Sequence, residues 1–283
     1  MSQAPTRTER AVQMGRFGAA RAAVQTIGRA AMVQAQEAAM LLSVVATAPV
    51  RLVRADSESA DSAPTRAKAH TGGTRPVLLV HGFAGAKSSW TSVAQALNDR
   101  GLSVSTMAYA PVGNSVEQLA DRLVAEVQRT LSRTGAQKVH LVGHSLGGVI
   151  IAQAISDARL NGRVDTVITL GSPFGGSPWA GALPVVELVR ALRPGSPLLR
   201  RIAAAPLPAG LRWLSVTAAL DIIVPGLRSV PSHAQAQTIT VNGVGHLGML
   251  VNQRVIGCIA NALCTDEMAS GAKLATRLLP AAS

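Results

Sequence analysis

Apolar and polar positions change rhythm twice along the chain. From residue 11 to about residue 45, small and apolar side chains recur every three or four positions. Phe17, Ala20, Val24, Ile27 and Ala31 form the stripe of one helix face. Arg10, Arg16, Arg21 and Arg29 flank this stripe without gathering on one side. The next stretch, DSESADSAPTRAKAHTGG, is small and polar and predicts a linker. Beyond it, short apolar runs alternate with amphipathic stretches. The runs at 77–80, 102–108, 138–142, 164–170, 212–219 and 237–241 predict strands. Residues 90–99, 114–133 (with Asn114 as the cap), 147–158 and 247–263 predict helices between and after them.

Such alternation predicts an α/β fold, a mostly parallel sheet with helices on both faces. Residues 172–210 interrupt it with Pro and Gly around one helical piece, 183–192, and read as a small inserted cap. The expected organisation is an Ala- and Arg-rich helical extension over 1–55 and a linker over 56–74. An α/β domain over 75–265 carries the cap, and a tail covers 266–283. No internal repeat is visible.

At 283 residues and 48% hydrophobic, the chain has ample apolar content for a large core. The longest apolar, uncharged run outside the α/β part, residues 38–50, falls short of the ~20 residues a spanning helix needs. That excludes an ordinary multi-pass membrane protein. Charge asks for more. Lys and Arg total 27 against 15 acids, a net charge of +12, which directs attention to nucleic acid or an anionic membrane. Most of the excess is arginine in an Ala-rich chain, the mark of a GC-rich coding bias. Seven aromatic residues in total leave little for bases to stack on, so nucleic acid is not an expected partner.

The basic residues concentrate in the first 75 positions and in the cap. There Arg190, Arg193, Arg200, Arg201 and Arg212 follow one another with no acid between Glu187 and Asp221. Both places suit a lipid surface, reached through residues 11–50 and the cap. The N-terminal apolar stretch begins nearly forty residues in, with Glu37 at its edge, unlike a signal peptide. The expected location is the cytoplasm or a membrane surface, with export left open. Cys258 and Cys264 lie six apart, roughly 240° around a continuous helix, and are expected as two separate thiols.

The sharpest chemical motif is Gly143-His144-Ser145-Leu146-Gly147-Gly148, between a predicted strand and a predicted helix. G-x-S-x-G in that context is a nucleophile elbow. Ser145 would sit in a strained turn, and a side chain at 143 or 147 would collide with the neighbouring helix or strand. A serine hydroxyl needs a base, and the base needs an orienting acid, in chain order Ser, acid, His.

Downstream of Ser145 the histidines are His233 and His246. His246 lies in the glycine-rich stretch after the last predicted strand and is the expected base; His233 is expected to face solvent or the cap. The acids between are Asp157, Asp165, Glu187 and Asp221. Asp157 falls late in the helix after the elbow, Asp165 opens a strand at its far end, and Glu187 lies in the cap. Asp221 follows a strand at the carboxyl edge, where open parallel sheets put their sites, and is the expected orienting acid. The N–H of Leu146 and that of Phe83, in His81-Gly82-Phe83-Ala84-Gly85, are the expected oxyanion donors. His81, His140 and His144 are read as structural.

These motifs, with Gly171-Ser172-Pro173-Phe174-Gly175-Gly176 and Gly245-His246, resemble the bacterial triacylglycerol lipase and esterase branch of the α/β-hydrolase superfamily over about residues 75–263. The resemblance implies hydrolysis of carboxylic esters of acyl or lipid substrates through an acyl-enzyme, with a cap over an apolar cleft. It implies no cofactor. Several relatives hold a calcium through aspartates near the histidine loop, but no Asp or Glu occurs here between Asp221 and Asp266, so no metal is expected. An acyltransferase or glycolipid deacylase would use the same triad. A lipid-surface binding protein is the alternative from another class. The cap reads equally as a mobile lid or as a rigid element packed on the core.

Overall fold

The computed structural model describes Gly28 and residues 30–35, 75–83, 85–110, 113–181, 186–264 and 277–279. Gly28 and residues 30–35 are helical, and within them Ala31 and Met32 are exposed. The rest of the predicted stripe, and the linker, lie outside the described residues.

The six predicted strands form as β1 (Val77–Val80), β2 (Val104–Met107), β3 (Val139–His144), β4 (Val164–Leu170), β5 (Arg212–Ala218) and β6 (Gln237–Val241). A seventh, β7 (Arg277–Leu279), pairs with β6 from within the expected tail. Its three residues offer no alternation to read. The strand order is β2-β1-β3-β4-β5-β6-β7, and every neighbouring pair is parallel. Strand order reverses between β1 and β3, so the loops leaving their carboxyl ends open a crevice there, the usual ligand position in such sheets.

Helices cover both faces. On one side α1 (Thr91–Asn98) and α6 (Gln253–Cys264) bury Trp90, Val93, Leu97, Val255, Ile256 and Ile259 against Val77, Leu79, Val142 and Ile168. On the other, α2 (Val116–Thr134) and α3 (Leu146–Ala154) pack Leu119, Leu123, Val127, Val149 and Ile150 against Leu78, Val80, Leu141 and Val167. Alternate residues of β1 thus enter opposite cores, as a period of two requires.

Element ends differ from expectation for identifiable reasons. Ser115, not Asn114, caps α2. Its hydroxyl accepts from the Gln118 N–H at 3.2 Å, while the Gln118 side chain accepts from the Ser115 N–H at 2.8 Å, a reciprocal capping box. The helix after the elbow stops at Ala154 rather than 158. Asp157 then caps a separate 3-10 turn, accepting from the Arg159 N–H at 2.8 Å. The final helix starts at Gln253, where Asn252 accepts from the Arg254 N–H, and a 3-10 turn, Gly248–Leu250, precedes it.

The cap holds two short helices, α4 (Glu187–Ala191) and α5 (Pro197–Ala204). The first, at 187–191, falls within the predicted 183–192, of which residues 183–185 lie outside the described residues. The second was hidden in a Pro/Gly cluster that reads as loop, although Ser196 caps it and Pro197 opens it, a favoured helix start. Leu188, Val189, Leu192, Leu198, Leu199 and Ile202 are all buried in the same core as α2 and α3. The described part of the cap is packed on the domain. Cys258 and Cys264 are both free thiols on α6.

Candidate active site

Ser145 stands between the end of β3 and the start of α3, with φ 53° and ψ −123°. Among the described residues it is the one non-glycine at positive φ, a conformation that costs energy and persists only where the surroundings impose it. Its N–H donates to the Leu170 carbonyl at 2.9 Å and its carbonyl accepts from the Gly148 N–H at 3.0 Å. The flanking glycines are required by contact. A Cβ at Gly147 would overlap the carbonyl oxygens of Val80 and His81, and one at Gly143 would lie 2.6 Å from the Gly148 nitrogen. α3 is buried along nearly its whole length, so the turn is held from below. Leu146 is the first residue of that helix, where an N–H has no partner within the helix.

The loop after β1 runs against the elbow. A Cβ at Gly82 would come 2.9 Å from the Ser145 Cβ, so only glycine lets this loop approach. The Gly85 N–H closes the turn onto the Gly82 carbonyl at 3.1 Å, and Phe83 sits half-buried on it. Two contacts with no signature in the sequence hold the loop from behind. Tyr109, the single tyrosine of the chain, donates its hydroxyl to the His81 carbonyl at 2.7 Å and stacks on the His81 ring at 4.1 Å. Burial pushes the Tyr109 phenol up and lowers His81 to about 4, so both are neutral at ordinary pH.

Asp221 and His246 meet on the far side. Asp221 follows β5, and its Oδ1 accepts from the Ile223 and Val224 N–H groups at 2.9 and 2.7 Å. Its Oδ2 accepts from His246 Nδ1 at 2.7 Å. Both side chains are buried. With Nδ1 donating, Nε2 is the ring nitrogen left with a lone pair. The loops carrying the two residues are joined: the Ala219 N–H donates to the Val241 carbonyl and the Leu220 N–H to the Val244 carbonyl, each at 3.0 Å. Gly171, at φ 54°, leans on the pair; a Cβ there would stand 3.0 Å from Asp221 Oδ2 and 3.1 Å from His246 Nδ1. His144, the neighbour of Ser145, places its ring 4.7 Å from that of His246.

The other expected residues lie elsewhere. Asp165 is bound by Arg212 at 2.6 Å and Thr166 at 2.9 Å at the opposite end of the sheet, with Arg75 and His140 close by. Asp157 pairs with Arg159 on the surface, and Glu187 is exposed at the start of α4. His233 faces the cap, with Nε2 2.9 Å from the Ala205 carbonyl and its ring stacked on Trp213.

A family profile for the alpha/beta hydrolase fold matches residues 75–221. The chain belongs to the α/β-hydrolase family, and its sheet order and elbow accord with that. A triacylglycerol lipase from Vibrio cholerae serotype O1 is 32% identical over 133 residues, 45% of this chain and 40% of that protein. The dihydrolipoyllysine-residue acetyltransferase component of the acetoin cleaving system of Cupriavidus necator is 36% identical over 108 residues, 37% of this chain and 28% of that protein. The matched stretch therefore spans well under half the length of these curated relatives. In fold, the chain is similar to the mature Bacillus licheniformis lipase BlEst2, with a TM-score of 0.59 and 17% identity over 71% of this chain and 94% of that one.

Proposed function

We propose that this chain is a serine hydrolase of carboxylic esters with acyl or lipid substrates, working through an acyl-enzyme on Ser145. The observation that carries the reading is the buried 2.7 Å hydrogen bond between His246 and Asp221 beside a serine held at positive φ. The Ser145 hydroxyl attacks the ester carbonyl as His246 Nε2 takes its proton, and Asp221 stabilises the imidazolium that forms. The tetrahedral oxyanion is met by the Phe83 and Leu146 N–H groups. His246 returns the proton to the departing alcohol, then removes one from the water that hydrolyses the acyl-enzyme. The Ser145→Ala variant should lose p-nitrophenyl ester turnover; a variant that keeps it would overturn the reading. A chain-length series of the same esters separates lipase from esterase.

The similarity to a protein named as an acetyltransferase component is the observation behind one alternative, the same acyl-enzyme with an acceptor other than water. A partition of product towards an added alcohol well beyond its share against water would select it.

The lipid contact belongs to the loops above the site. Trp179 and Leu227 are 59% and 85% exposed, although both are large and apolar. Their loops are tied together. Trp179 Nε1 donates to the Ile222 carbonyl at 2.7 Å, and Arg228 and Gly175 exchange two hydrogen bonds. Arg193, beside them, donates to the Ala180 carbonyl. An apolar lip with basic neighbours fits an anionic lipid surface. Trp90 and Trp213 are buried, so vesicles of anionic lipid with brominated acyl chains should quench Trp179 selectively. Quenching that persists in Trp179→Phe would contradict this contact. Residues 11–50 form the other proposed contact; flotation with anionic vesicles of a chain lacking residues 1–70 tests it, and unchanged binding would remove it. No described helix is long and apolar enough to cross a membrane.

A further inference from the structure

His144 stands between three parts of the site. It ends β3, is 4% exposed, and is covalently joined to Ser145. Its Nε2 lies 3.0 Å from the backbone carbonyl of His246. Its Nδ1 lies on the side of the oxyanion loop, where a Cβ at Gly82 would come within 3.2 Å. A carbonyl oxygen only accepts, so His144 Nε2 must carry a proton and donate it. Burial, with the neighbouring His246 as a smaller cause, lowers the His144 pKa to about 3, so the ring is neutral across the working range of a serine hydrolase.

We infer that His144 is a positioning residue for the base, locking the main chain of His246 to the backbone that bears the nucleophile. Asp221 holds the His246 ring through Nδ1, but that contact alone leaves the ring free to move with its own loop, which joins the Asp221 loop by the Leu220–Val244 hydrogen bond. The His144 bond adds a second point of attachment on the elbow side. One hydrogen bond and one peptide link then connect the main chain of the base to that of the nucleophile, so displacement of His246 relative to the elbow is restrained. An apolar side chain at 144 fills the volume but leaves a buried carbonyl without its donor. Glutamine carries an amide N–H at a similar reach and restores it. This inference rests on the triad reading given above.

The test uses the full chain, with His144→Leu and His144→Gln compared at equal numbers of active sites. Fluorophosphonate titration counts the sites, and kcat and KM are measured on p-nitrophenyl butyrate. His144→Leu should lose roughly 10- to 100-fold in kcat per titrated site, the scale of a catalytic group displaced by about an ångström, with KM within about twofold. His144→Gln should recover to within about threefold of the parent, by the same reasoning. A residue needed only for folding would lower the number of titratable sites and leave kcat per site unchanged; that result overturns the inference. So does a His144→Gln variant as slow per site as His144→Leu. If His144→Leu yields no folded protein, His144→Met replaces it under the same criteria. If the parent chain neither labels nor turns over ester, the triad reading falls first, and the inference with it.

Discussion

Gly171 shows how little room the acid–base pair leaves. Its left-handed backbone and the 3.0 Å approach to Asp221 Oδ2 mean that any side chain pushes into the His246–Asp221 hydrogen bond. Gly171→Ala should therefore lower kcat on a soluble ester by at least about tenfold, an effect of about 1.4 kcal/mol in barrier. A variant with full kcat would show that the pair tolerates displacement. Asp221→Asn is expected to be worse, by roughly three to four orders of magnitude, because an amide can hold the imidazole in the wrong tautomer. Both are read from initial rates on p-nitrophenyl acetate. The chain alone pointed to Ser145, Asp221 and His246 because motif context, chain order and exclusion leave few residues of the required chemistry. The sequence places Gly171 in a family motif without saying why glycine stands there, and gives Tyr109 no role, because both act through packing in three dimensions. Tyr109 could have been noticed as a lone tyrosine just past a strand end, but its partner, the His81 carbonyl, is a backbone atom with no signature.

At the scale of elements, strands were the most legible part. β1, β3 and β4 are fully buried, and such strands are rich in Val, Ile and Leu. Ends of helices were less so, because a cap is decided by one hydrogen bond among adjacent candidates. Asn114 and Ser115 are both good caps; Ser115 wins because Gln118 lies three residues on and closes the box. Ser115→Ala should cost about 1 kcal/mol of stability, measured by urea unfolding, while Asn114→Ala costs less. The reverse order would contradict the assignment. The cap was the least legible element. Its residues are apolar enough for a lid or a core, and in its described part Leu188, Leu199 and Ile202 are buried with α2 and α3.

For the molecule as a whole, the buried histidines link stability to pH. His81 and His144 are depressed to about 4 and about 3, chiefly by burial, from an ordinary value near 6.5. Below pH 6.5 the unfolded chain takes up protons that the folded chain refuses, so stability falls as pH drops towards those values and is level with respect to these two groups above 6.5. The urea midpoint should be lower at pH 5 than at pH 7.5, and His144→Gln should flatten part of that slope. An unchanged midpoint would mean the rings are not held neutral. Arg193 and Arg228 lie beside the exposed Trp179 and Leu227, where the proposed anionic-lipid contact falls.

Ser145 is the proposed nucleophile. Reaction with a fluorophosphonate, tryptic digestion and fragmentation of the peptide spanning residues 139–159 test it directly, since that peptide holds Ser145 and Ser156. One adduct per chain is expected, on Ser145, and none in Ser145→Ala. An adduct on Ser156 or on another residue, or undiminished labelling of Ser145→Ala, would contradict it.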